Sequence, residues 1–168
     1  MTISMYQASV PVFARALGNL SEVLKKGEAH AKAKVVDPDN LLQQRLMFDM
    51  LPLIKQIQIA CDTVARGAAR LAGAEPKSFP DNEKTLAEAQ ARIDAAIAYA
   101  KSFKPEQIDG SEARKVVMKT RHGETEFTGL AYLTEYSLPN LFFHCATAYD
   151  ILRVAGTPIG KADFLGNR

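Results

Sequence analysis

The sequence predicts an all-α protein: a four-helix bundle with a short β-hairpin between the third and fourth helices. Three observations predict it. Four segments repeat apolar residues in alternating steps of three and four, the stripe of helices packed at a shallow angle. A His122-Gly123 pair sits between two β-prone runs, the pattern of a tight hairpin. The length of 168 residues, 47% hydrophobic and 24% charged, suits one domain over 1–168 with a core that needs no staples.

The first stripe reads Ile3, Tyr6, Val10, Phe13, Leu17, Leu20 and Leu24. The second reads Leu46, Met50, Leu53, Ile57, Ala60, Val64, Gly67 and Leu71; Asp39 or Asn40 can cap its start, and Gly73 can end it. Leu86, Ala89, Ile93, Ala96, Ala100 and Phe103 form the third, rich in alanine and therefore able to approach its neighbours closely. Asp81 and Glu83 place acids at the positive end of that helix, and Lys104-Pro105 stops it. Residues 116–120 and 125–128 then flank Arg121-His122-Gly123-Glu124, with Gly123 expected at positive φ. A lone two-stranded hairpin is marginal in water, so this one should lie against the bundle. Leu141, Cys145, Ala148, Leu152 and Ala155 make the fourth stripe, ended by Gly156 and Pro158. From Thr157 to Leu165 the tail alternates Pro, Gly and apolar residues, a composition unsuited to a helix. It should pack across the bundle or against a second copy, and a homodimer is expected.

Composition narrows the function. A net charge of +2 without a concentrated basic face argues against nucleic acid as a partner. No run approaches the ~18 apolar residues of a membrane span, and the N-terminus lacks the charged and apolar regions of a signal peptide. Cys61 and Cys145 stand far apart on apolar stripes, as buried reduced thiols of a cytoplasmic protein would. There is no phosphate-binding glycine loop, nucleophile elbow or His-Glu-x-x-His zinc helix.

Chemistry concentrates in Pro139-Asn140-Leu141-Phe142-Phe143-His144. Asn140 and His144 lie one helical turn apart on one face, where two donors can share a cation or a ligand. Asp49 falls three residues after Leu46 and four before Leu53, near the bundle-facing side of the second helix. A buried carboxylate needs a partner, and His144 is the candidate. Pro52 and Pro139 interrupt helical patterns beside these groups and can open a pocket between the helices, whereas Pro11 reads as a tolerated bend. Two readings stay open: Asp49, Asn140 and His144 hold a divalent transition metal with open positions for water or substrate, or Asp49 orients a neutral, hydrogen-bonded His144.

The runs Arg45–Leu53 and Gln56–Asp62 resemble a family filed as a domain of unknown function, DUF1993. So do Pro139–His144, Ala148–Arg153 and the tail Gly160–Gly166. The resemblance covers nearly the whole chain. It implies a bundle of the DinB/YfiT-like group of metal-dependent enzymes, some of which transfer low-molecular-weight thiols. Many of that group bind a divalent metal (zinc, nickel or iron) through one histidine on helix two and a His-x-x-x-His pair on the last helix. Aligned on Leu152-Arg153 and Gly156, His144 takes the second position of that pair and Asn140 the first, with Asp49 the nearest polar residue to the helix-two position. The expected function is an enzyme of hydrolase or thiol-transferase type with this altered site. The alternative is a non-catalytic, homodimeric module with a small-molecule ligand in the bundle pocket and no metal.

Overall fold

The computed structural model describes residues 2–120 and 123–166, so the turn residue His122 lies outside the described residues. Helices α1 (Met5–Ala33), α2 (Leu53–Ala72), α3 (Leu86–Ser102) and α6 (Leu138–Val154) form the bundle. Between α3 and α6 come a one-turn α4 (Pro105–Ile108), strands β1 (Lys115–Thr120) and β2 (Gly123–Thr128), and α5 (Gly129–Ala131). A wide π turn, Tyr132–Ser137, joins α5 to α6, and α7 (Lys161–Leu165) closes the chain. The four-helix architecture and the hairpin agree with the sequence reading.

Cross-links between elements fix the topology. Gln56 of α2 meets His144 of α6 while Thr63 meets Asn140, so these helices run antiparallel. Gln58 bonds Glu83 and Asp62 bonds Arg92, so α2 and α3 run in parallel. Ser21 bonds Gln90 while the Tyr6 amide bonds Asp109, just beyond α3, so α1 and α3 are antiparallel. The order is up-down-down-up, with α2 packed chiefly on α3 and α6, and α1 on the other side of both. One core runs through the four, including Phe13, Leu17, Ile57, Val64, Ile93, Leu141 and Leu152, all fully buried. Gly67 permits a close approach within the bundle: a Cβ there would stand 2.8 Å from Ser137 Oγ and 3.0 Å from the Phe13 ring.

Local chemistry sets the boundaries. Ser4 and Gln7 cap α1 reciprocally, as Thr85 and Glu88 cap α3. The α3 cap is thus Thr85, and the acids Asp81 and Glu83 lie just upstream of it. Neither Asp39 nor Asn40 caps the second helix: they lie in a 3-10 turn, Pro38–Gln43, capped by Asp37, and Asp39 accepts from the Leu86 amide at the start of α3. Gly73, at φ +70°, ends α2 as expected. Helix α1 ends in a Schellman motif whose left-handed position is filled by Val35 at φ 58°; the Val36 amide bonds Ala31 O and the Val35 amide bonds Lys32 O.

Three expectations are corrected. The second helix does not begin near Leu46: Pro52 is its N-cap, and residues 44–52 form an irregular connection. A proline lacks the amide that a preceding turn of helix would need, so the helix starts after it. The fourth helical segment starts earlier than expected, and Pro139 lies within it. Because Pro139 cannot donate to the carbonyl four residues back, the rod widens just before it, with the Leu138 amide bonded to Leu133 O, five residues back. The tail does form a short helix, α7, capped by a bond from the Gly160 amide to Asp163. It packs along α1, with Ile159 buried and Phe164 half-buried.

The hairpin pairs Lys115 with Thr128 through to Thr120 with Gly123, the last at φ 120°. Val116 and Met118 are buried in the bundle's core, while Lys115–Glu126 and Lys119–Glu124 ion pairs face out. The hairpin therefore lies against the helices, where its apolar face is covered. No helix among the described residues is long and apolar enough to cross a membrane.

Candidate functional site

The polar seam between α2 and α6 contains two of the three residues expected from the sequence. His144 is covered on the inner side of α6, and its Nδ1 lies 2.7 Å from Gln56 Oε1. Gln56 Nε2 donates to the Leu51 carbonyl at 2.9 Å. That second bond fixes the amide: its NH2 faces Leu51, so its oxygen faces the imidazole. An oxygen acceptor requires the proton on Nδ1, which leaves Nε2 with a bare lone pair. Nε2 has no partner among the described residues and is not sealed from solvent. The Phe143 ring stands edge-on to the imidazole at 5.2 Å and is itself more than half exposed. Burial holds His144 below its ordinary pKa of 6.5, so the ring is neutral at pH 7.

Asn140 occupies the turn below. Its Nδ2 donates to Thr63 Oγ1 at 2.8 Å, and that hydroxyl donates to Ile59 O at 2.7 Å. The Asn140 oxygen is thus the acceptor left without a protein partner among the described residues. Thr147, one turn beyond His144, spends its hydroxyl on Phe143 O.

Asp49 is not part of the seam. It lies exposed in the connection before α2, among Met47, Phe48 and Leu51, which are exposed as well. The helical phase that would turn it inward does not exist upstream of Pro52, and Gln56 holds the place opposite His144. The sequence reading missed Gln56 and Thr63, although the signal was there. Gln56 follows Leu53 by three and Thr63 follows Ala60 by three, so both fall beside the apolar stripe of the helix as it actually begins.

The seam's donors do not suit a resident transition metal. Catalytic zinc sites commonly take three protein ligands from imidazole, thiolate or carboxylate, and the seam offers one free imidazole nitrogen, on His144, and one free amide oxygen, on Asn140. Among the described residues no three His, Cys, Asp or Glu side chains are grouped to hold a metal. Both cysteines are buried; desolvation pushes the Cys145 thiol up to about 12 and the Cys61 thiol further, so neither supplies a thiolate at neutral pH.

A second polar cluster, also missed, is structural. Arg92 of α3 is almost wholly buried: its Nη2 lies 2.7 Å from Asp62 and 3.0 Å from Asp81, and its Nη1 lies 2.8 Å from Glu83. Nη1 also donates to Pro80 O at 2.9 Å. Burial opposes the charge on Glu83, but hydrogen bonds from Arg92 and Gln58 outweigh it and hold the carboxyl below its ordinary 4.5. The other Asp62 oxygen pairs with Arg66, one turn on along α2, at 2.9 Å. Every carboxylate of the cluster is engaged, and the group fastens the α2–α3 connection.

The domain family DUF1993, a domain of unknown function, matches residues 5–165. The crystal structure of a DinB family member protein from Shewanella denitrificans is similar to this fold at a TM-score of 0.88. The two sequences are 38% identical, with 97% of this chain and 92% of that one covered. No curated protein matches the sequence.

Proposed function

Since the chain belongs to the DUF1993 family and shares the fold of a DinB family member, we propose that it acts through the α2–α6 seam, with His144 Nε2 as proton acceptor for a small hydroxyl or thiol compound. The observation that supports this most directly is the chain His144 Nδ1–H to Gln56 Oε1, with Gln56 Nε2–H to Leu51 O. It fixes ring and tautomer together, as the outer partners of working histidines do. A proton leaving the ligand's O–H or S–H would pass to Nε2, and the resulting imidazolium would keep its Nδ1–H on the Gln56 oxygen. The anion left behind is the nucleophile of a hydrolase or thiol-transferase reaction. Asn140 Oδ1, one turn away, orients the ligand's second polar group.

In this reading the site works without a resident metal. A zinc, nickel or iron ion on Nε2 would find only Asn140 on the same helix, a weaker set than three imidazoles, and Asp49 adds nothing from its exposed connection. The test combines elemental analysis of protein purified without an affinity tag and nitrogen NMR of the His144 ring. The expected result is an Nδ1-protonated neutral ring, perturbed at Nε2 by small thiols or alcohols and lost in His144→Ala, with less than equimolar metal. Stoichiometric metal with a shifted Nε2 signal would instead establish a metal centre. A ring protonated at Nε2 would remove the base. The homodimer is likewise a proposal: Phe143 leaves apolar surface on the outside of α6 that a second copy would cover, and sedimentation velocity tests it.

A further inference from the structure

The other flank of α6 carries a cavity of about 660 Å3, between α1, α6 and α7, and none of Asp49, Asn140 and His144 lines it. Its size falls within the range of ~300–1,000 Å3 common for small-molecule sites. Its body is apolar, with Ala16 and Leu20 from α1, Phe142 and Tyr149 from α6, and Phe164 from α7. Helix α7 is a wall of the cavity and is tied down along its length. Asn19 Nδ2 donates to Phe164 O at 3.1 Å, Arg15 Nη2 donates to Leu165 O at 3.0 Å, and Lys26 pairs with Asp163. The Phe164 ring meets Tyr149 edge-to-face at 5.8 Å.

Arg15 is the one charged side chain in the lining, and it enters no ion pair among the described residues. One of its nitrogens holds the tail's backbone, which fixes the guanidinium at the rim, and the others remain available as donors. The nearby carboxylate, Asp163, is already engaged by Lys26 and by the Gly160 amide. The rim thus presents a positioned positive charge, without an ion-pair partner among the described residues, above an apolar cleft. A guanidinium recognises a carboxylate in a paired, charge-assisted geometry, and the cleft below suits an unbranched hydrocarbon.

From this arrangement we infer that the α1–α6–α7 groove binds an amphipathic monocarboxylate of medium chain length, its carboxylate on Arg15 and its alkyl chain between Leu20, Phe142 and Phe164. The inference is independent of the His144 reading, because it concerns the opposite side of α6.

Calorimetric titration of the full chain with octanoate and with octanol tests it. Octanoate should bind, and octanol should bind more weakly. Arg15→Gln should weaken octanoate by roughly tenfold, the equivalent of 1.4 kcal/mol, and leave octanol unchanged. Ala162→Trp, a substitution of an exposed residue in the lining, should abolish uptake of both. If that variant fails to fold by circular dichroism, Leu165→Asp replaces it with the same expected loss. Absence of octanoate binding, equal affinity in Arg15→Gln, or full uptake by the groove variants would each overturn the proposal. So would a wild-type dimer that dissociates in Ala162→Trp without any octanoate uptake, which would assign the groove to a second copy.

Discussion

His144 shows how one neighbour sets the chemistry of a residue. Gln56 holds its Nδ1–H, and burial keeps the ring below the ordinary 6.5. The unfolded chain therefore takes up a proton at higher pH than the folded one. The stability contributed by the neutral ring is complete above 6.5 and declines as the pH falls through the folded value. Urea unfolding at about pH 7.5 and about pH 5.5 should show wild type losing more stability on acidification than His144→Phe; parallel losses would contradict the assignment. Val35 is a second case. A β-branched residue in the left-handed conformation is strained, and this one is 95% exposed, so it gains nothing from burial in return. Val35→Gly should raise stability by about 1 kcal/mol, measured by chemical denaturation. Of the three expected site residues, Asn140 and His144 were legible because they sit inside a helix whose phase the stripe gives correctly. Asp49 was misread because its phase was taken from a helix that does not extend to it.

Elements were legible where apolar periodicity and punctuation agree. The stripes of α1, α3 and α6, the glycine stops at Gly73 and Gly156, and the hairpin all follow from such signals. They fail at prolines, which serve equally as a helix start or an interruption: Pro52 begins α2, Pro11 is carried inside α1, and Pro139 follows a wide turn. Long-range polar pairing was illegible, since Arg92 reads as an ordinary solvated charge until the fold brings Asp62, Asp81 and Glu83 around it. Removing one partner from a buried ionic group strands the others, so Arg92→Ala should cost about 3–5 kcal/mol. Arg92→Lys should recover little, because a single ammonium cannot reproduce the two-pronged contact. Thermal unfolding of both variants checks this, and a lysine variant as stable as wild type would show that charge alone suffices.

At the scale of the molecule, the up-down-down-up order puts Cys61 and Cys145 in one core, with neither thiol reachable by local fraying of a helix end. Cys61, which no part of the α1–α6–α7 groove touches, should react with an aromatic disulfide reagent only at the rate of global opening, so that its labelling slows in step with stability across a variant series, whereas Cys145 lines the groove and can be labelled through it. Rapid labelling of Cys61 in the native protein would reveal a smaller cooperative unit. The wide turn before α6 has a consequence of another kind. An α-helix advances by about 100° per residue, so the surplus residue housed between Tyr132 and Ser137 is a phase offset between the hairpin end of the molecule and the seam. Losing one exposed residue there, Thr134 or Glu135, would restore ordinary helical winding and rotate one side of the joint against the other. Either the column carrying Asn140 and His144 would turn away from α2, or Tyr132 and Leu133 would leave the core. The alignment of the seam with the rest of the fold is thus held by a single residue of chain length.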